Sequence, residues 1–226
     1  MNVVVTGANR GIGLGFVKHY LAQGAYVWAC YRSDKKNLEM IDADTLECVQ
    51  WDVVDDKDET FISQAGFPQT IDILINNAGI YGPKKDGQSL ENITPDVMLD
   101  AFNVNCVGPL RVVQLLKPLV IAAAGKIANV SSKMGSAADN TSGGCYAYRA
   151  SKACLIHVTK SMAIDLVSEN VKVVSLHPGW VRTDMTDHNG LIDVHQSVAG
   201  MTKVIENIES YSPGDFISFD GQTILY

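Results

Sequence analysis

Positive charge is scarce in this chain. Its 226 residues carry 18 lysines and arginines against 25 aspartates and glutamates, for a net charge of −7. Gripping a nucleic acid needs a basic footprint, and so does a polybasic membrane anchor. Neither a nucleic acid nor a membrane is therefore expected as a partner. Long apolar runs are also lacking: none approaches the ~18 consecutive residues that suit a membrane span. The start, MNVVVTGANRG, has no basic stretch leading into a long apolar one, so no signal peptide is expected. Cysteine is sparse and scattered. Cys30, Cys48, Cys106, Cys145 and Cys154 are odd in number and include no Cys-x-x-Cys pair. That pattern predicts free thiols in a reducing cytoplasm, with neither disulfides nor a zinc site. No linker, repeat or low-complexity segment interrupts the sequence.

What is present is a core-forming composition, 46% apolar, which is enough for one domain over residues 1–226. Strand-like and helix-like stretches alternate throughout. Strands are expected at 2–6, 25–31, 46–51, 71–75, 125–130, 171–177 and 216–219. Helices are expected at 12–23, 56–66, 95–123, 148–168 and 194–208. The fourth strand is continuous in Ile and Leu, as when both faces of a sheet are covered. The expected fold is α/β: a doubly wound parallel sheet of the Rossmann type, about seven strands with helices on both faces.

The first strand runs into Thr6-Gly7-Ala8-Asn9-Arg10-Gly11-Ile12-Gly13, and a helix follows. Glycines let backbone approach a pyrophosphate, and the helix start offers free N–H groups and a positive dipole end. The alternative is a tight turn. The second strand ends at Tyr31-Arg32-Ser33, where an NAD-selective site would carry a carboxylate. Arg32 and Arg10 could instead clamp a 2′-phosphate, which predicts NADP(H). The alternative there is a pair of ordinary surface arginines. Asn76-Asn77-Ala78-Gly79 closes the fourth strand with amides able to stabilise neighbouring backbone and small residues that permit close approach.

Tyr148 and Lys152 stand four apart at the start of a helix and share one face. An ammonium group near a phenol favours the phenolate, which suits proton exchange at neutral pH. Tyr146 has Ala150, not lysine, four residues on. Ser131 and Ser132 end the preceding strand, and either hydroxyl could hold a carbonyl oxygen. In the long helix, Pro109 has no N–H to give the carbonyl of Asn105. The expectation is that this free acceptor holds a water joining Lys152 to bulk. The alternative is a simple proline kink. His177 reads as a packed strand-end residue.

These motifs, in this order, resemble the short-chain dehydrogenase/reductase family over essentially the whole chain. Ser131–Ser136 and 139–144 look like its C-factor-like, carbonyl-reductase-like branch. The resemblance selects Ser132 over Ser131 and Asn105 over Asn103. It implies cofactor contacts at Gly7, Asn9, Arg10, Gly11, Ile12 and Gly13, at Arg32, Asp52 and Val53, and at Asn77, Ala78 and Gly79. It implies further ones at Tyr148, Lys152, Pro178, Gly179, Val181 and Thr183, with Asp52 on the adenine and Thr183 on the carboxamide. The implied catalytic set is Ser132, Tyr148, Lys152 and Asn105. The implied activity is hydride transfer between NADP(H) and a small carbonyl or alcohol substrate, without a metal. The resemblance also implies homodimers or homotetramers built through the long helices. A signalling or sensor protein of C-factor type that binds a dinucleotide is the alternative. One departure is the spacing of 16 between Ser132 and Tyr148, longer than usual. Residues 133–147 and 184–195 are expected to line the substrate pocket.

Overall fold

The computed structural model describes residues 1–226. Seven strands form one sheet: β1 (Asn2–Thr6), β2 (Tyr26–Tyr31), β3 (Leu46–Gln50), β4 (Ile73–Asn76), β5 (Lys126–Val130), β6 (Lys172–His177) and β7 (Phe216–Ser218). Their spatial order is β3-β2-β1-β4-β5-β6-β7. Every neighbouring pair is parallel. The sheet is doubly wound, as expected, with the strand order reversing between β1 and β4. Ligands of such sheets bind outside the carboxyl ends of the strands at that reversal.

The apolar runs that predicted buried strands divide by alternation. Val3, Val5, Ile73, Ile75, Ala128 and Val130 face one core, with Phe16, Val17 and Tyr20 of α1 (Gly11–Ala22) and Val198, Met201 and Val204 of α6 (Val194–Glu206). Val4, Leu74 and Ile127 face the other, with Val112, Val113, Leu116 and Val120 of α4 (Gly108–Ala122) and Met162 of α5 (Tyr146–Asp165). A short α2 (Glu59–Gln64) is capped by Asp58.

The long helix expected at 95–123 is interrupted. Here α3 (Pro95–Phe102) passes through a π turn, Asn103–Val107, into α4. Pro95 occupies the first turn, as predicted, and Thr94 caps it. Within the π turn the N–H of Gly108 bonds the carbonyl of Asn103, five residues back. Taken together, Pro95–Ala122 is long and apolar enough to cross a membrane by length and composition. It contains no long unbroken apolar run, because polar residues interleave. Its apolar side chains Val112, Leu116 and Val120 are buried against the sheet. All five cysteines are free.

Candidate active site

The carboxyl ends of β1, β2, β3 and β4 open on one groove of about 380 Å³. Its walls include Gly7, Asn9, Arg10, Gly11, Ile12, Arg32, Asp52, Val53, Asn77, Ala78, Gly79 and Thr183. Gly7 and Gly11 have φ of +63° and +52°, the left-handed region that favours glycine. Gly13 lies beneath the loop, where a Cβ would fall 2.2 Å from the carbonyl oxygen of Gly7. One side-chain amide and a hydroxyl lock this loop. Thr6 Oγ1 accepts the N–H groups of Asn77 and Ala78, each at 3.1 Å. Asn77 Nδ2 donates to the carbonyls of Thr6 and Gly7. Asn76 instead bonds Asn129 across to β5 at 2.8 Å. The start of α1 has no side-chain cap, which leaves its amides facing the groove. A cradle so stripped of side chains fits a dinucleotide pyrophosphate.

The two arginines differ in their surroundings. Arg32 is exposed at the groove beside Ser33, Asp34 and Lys36. Arg10 reaches instead across the cleft to Asp184 at 3.3 Å. Asp52 Oδ1 accepts the N–H of Val54 while lining the groove.

A second cavity of about 340 Å³ adjoins the groove and shares Ile12, Thr183 and Met185 with it. Ser132, Tyr148, Pro178, Gly179 and Val181 line it. Lys152 and Asn105 lie just behind both spaces. A Cβ on Gly79 would sit 3.1 Å from Asn105 Oδ1 and 3.4 Å from Lys152 Nζ. Lys152 Nζ donates to the carbonyl of Val130 at 2.8 Å and stands 6.0 Å from the centre of the Tyr148 ring.

Burial raises the pKa of the Tyr148 phenol, and a hydrogen bond to Ser132 opposes the rise. The phenol is therefore protonated at neutral pH, able to give a proton. Burial lowers Lys152 to about 8, against a smaller raising effect from Cys106. The two serines part company. Ser131 Oγ donates to the carbonyl of Lys152 and is turned into the fold. Ser132 Oγ accepts the N–H of Met134 and faces Tyr148. Asn105 uses its side chain as a clamp: Oδ1 accepts the N–H of Ile80 and Nδ2 donates to the carbonyl of Ile80, both at 2.8 Å. His177 Nδ1 accepts the N–H of Lys133, and burial pushes its pKa down to about 4.

The cavity lining corrects one expectation. Of 133–147 only Met134 reaches the wall. Residues 137–143 are exposed, and two left-handed glycines, Gly143 and Gly144, lead from them into α5. Met185, Thr186 and Asp187 represent 184–195. Sequence reasoning missed Tyr81, Lys84, Lys85 and Trp180, which complete the wall. Trp180 directly follows Pro178-Gly179 and Tyr81 stands two residues after Gly79, an available signal. Lys84 pairs with Asp187 across the mouth.

Comparison with known proteins agrees with this geometry. The short chain dehydrogenase family matches residues 1–191. The C-signal protein of Myxococcus xanthus is 41% identical over 155 residues, covering 68% of this chain and 92% of that protein. Among solved structures, the carbonyl reductase Sniffer of D. melanogaster has a TM-score of 0.90 at 31% identity, covering 100% of this chain and 99% of that one. The NADPH-bound carbonyl reductase from chicken fatty liver has a TM-score of 0.87 at 31% identity, covering 100% and 98%. The chain belongs to the short-chain dehydrogenase family, in its carbonyl-reductase-like branch.

Proposed function

We propose that this protein is an NADP(H)-dependent oxidoreductase that interconverts a small carbonyl compound and its alcohol. The observation that carries this reading is the cavity itself. The Tyr148 phenol and the Ser132 hydroxyl converge in a space that opens directly onto the dinucleotide groove. When bound, the dinucleotide supplies or accepts the hydride at the carbonyl carbon. Ser132 donates a hydrogen bond to the carbonyl oxygen and holds its developing negative charge. Tyr148 gives that oxygen its proton in reduction and takes it back in oxidation. Lys152, anchored on Val130, holds ribose hydroxyls and favours the phenolate that proton transfer leaves. The carbonyl of Asn105, whose i+4 donor Pro109 removes, holds the water that reprotonates Lys152. Arg32 and Arg10 receive the 2′-phosphate, with Arg10 leaving Asp184 to do so. Binding through the long helices gives a homodimer or homotetramer, and the compartment is the cytoplasm.

NADPH consumption against a panel of aldehydes, ketones and quinones tests this reading, with Tyr148→Phe as control. Turnover that this substitution abolishes is the expected result. Equal affinity for NADH and NADPH would count against the cofactor assignment. A second reading, a signalling or sensor protein, draws on the likeness to the Myxococcus C-signal. A Tyr148→Phe protein that keeps its full biological effect would favour it.

A further inference from the structure

The helix that carries Tyr148 starts without a side-chain cap. Cys145 occupies the cap position at φ +50°, and its side chain makes no capping bond. Its thiol pairs with the Tyr81 hydroxyl at 2.9 Å instead. The N–H groups of the first helical turn have no partner within a helix and need one from elsewhere. The N–H of Tyr148 finds it 60 residues away, donating to Gln88 Oε1 at 2.9 Å in a buried bond. The same amide donates from Nε2 to the carbonyls of Tyr81 at 2.8 Å and Pro83 at 3.0 Å. Gln88 is 2% exposed, and both its donors and its acceptor are engaged.

The other end of the Tyr148 peptide is tied to the same segment. Ser151 Oγ donates to the carbonyl of Tyr148 at 2.9 Å, and Asn105 Nδ2 donates to Ser151 Oγ at 2.9 Å. Asn105 in turn clamps Ile80. The N–H of Tyr148 thus traces through Gln88 to Tyr81, and its carbonyl traces through Ser151 and Asn105 to Ile80. Tyr81 also stands against the Tyr148 ring, with centroids 4.9 Å apart, and lines the substrate cavity.

We infer that Gln88 is a positioning residue that caps the Tyr148 helix from outside and fixes the substrate wall to it, an inference resting on the reductase reading above. The acceptor half of its amide sets Tyr148 and governs kcat. The donor half holds the 81–83 turn, hence Tyr81, and governs KM.

Two substitutions separate the halves. Gln88→Leu keeps bulk and removes both functions. Gln88→Glu, kept protonated by burial among carbonyls, retains the acceptor and only one of the two donors. The leucine variant should lose about 10- to 100-fold in kcat, the scale of a displaced catalytic group. Its KM for the carbonyl should rise several-fold, and its NADPH affinity should hold, since Gln88 does not line the groove. Hydrogen exchange at the start of α5 should quicken. The glutamate variant should show part of the rise in KM with a smaller loss of kcat and protected amides at α5. Unchanged kcat in the leucine variant, or equal losses in both, overturns the inference. If the leucine variant does not fold, the glutamate variant decides alone: a fall in kcat without a change in KM overturns it. If the wild-type protein turns over no carbonyl, the proposed function fails. Exchange at α5 still judges Gln88, and equal protection in wild type and Gln88→Leu rejects it.

Discussion

Replacing Lys152 by methionine should make this protein more stable at neutral pH while ending turnover. The Lys152 side chain is 4% exposed. Burial lowers its pKa from 10.5 to about 8. Below pH 8 both folded and unfolded chains carry the proton, and the folded chain holds that charge in a dry place. Between about 8 and 10.5 the folded chain has released the proton and the unfolded chain still binds it, so stability rises with pH. At about 1.4 kcal/mol per pH unit, that window corresponds to roughly 3 kcal/mol withheld from the folded state at pH 7. Methionine has similar bulk and no charge. It forfeits the bond to the Val130 carbonyl, worth about 1.5 kcal/mol, so a net gain of about 1–2 kcal/mol remains. Cys106, the ionisable neighbour that bears on Lys152, is raised by burial to about 11 and stays neutral across most of this window. Urea unfolding of both proteins at about pH 7 and about pH 9.5 measures the difference and cancels titrations common to both. The methionine variant should lead at the lower pH, and its lead should shrink at the higher. A variant less stable at neutral pH, or a pH-independent gap, would refute the reasoning.

Other outcomes follow from the same geometry. Arg32→Ala should weaken NADPH binding about tenfold, the scale of one charge-assisted hydrogen bond, and leave NADH binding unaltered in a fluorescence titration. Ser132→Ala should lower kcat about 10²- to 10³-fold, as loss of an oxyanion donor does. Ser131→Ala, which loses the bond to the Lys152 carbonyl, should show in the melting temperature more than in kcat. Asn105→Ala abandons a buried amide that pairs both polar groups of Ile80. About 2–4 kcal/mol should go, which calorimetry would read as a fall of roughly 5–15 °C in Tm.

The sheet was legible because continuous β-branched runs have one stable home, between two layers of helices. β4 and β6 came out within two residues of their sequence-based limits at either end. The cofactor loop was legible because its requirement is local: glycine at positive φ and no side chain in the way. The Tyr148–Lys152 spacing was legible once a helix was assumed, since i and i+4 share a face. What stayed hidden depends on long-range folding of loops. Arg10 pairs with a residue 174 positions away. Gln88 sits in a polar stretch that looks like ordinary loop, and only the fold brings its amide to α5. The burial that raises the Tyr148 phenol, and the Ser132 hydrogen bond that opposes it, likewise exist only once the chain is folded.

The π turn at Asn103–Val107 amounts to one residue inserted into an α-helix. Each residue of an α-helix turns the chain by about 100°, so α3 and α4 run in different angular frames along one continuous rod. That offset lets the rod meet two masters. α4 lays Val112, Leu116 and Val120 on the sheet, while the turn itself aims Asn105 at Ile80 and the strand end. Deleting a residue such as Val104 would heal the helix and force a single frame on it, so that one of the two contacts must be given up. The irregularity works as a phase setter, and a helix of better geometry would be a worse part of this site.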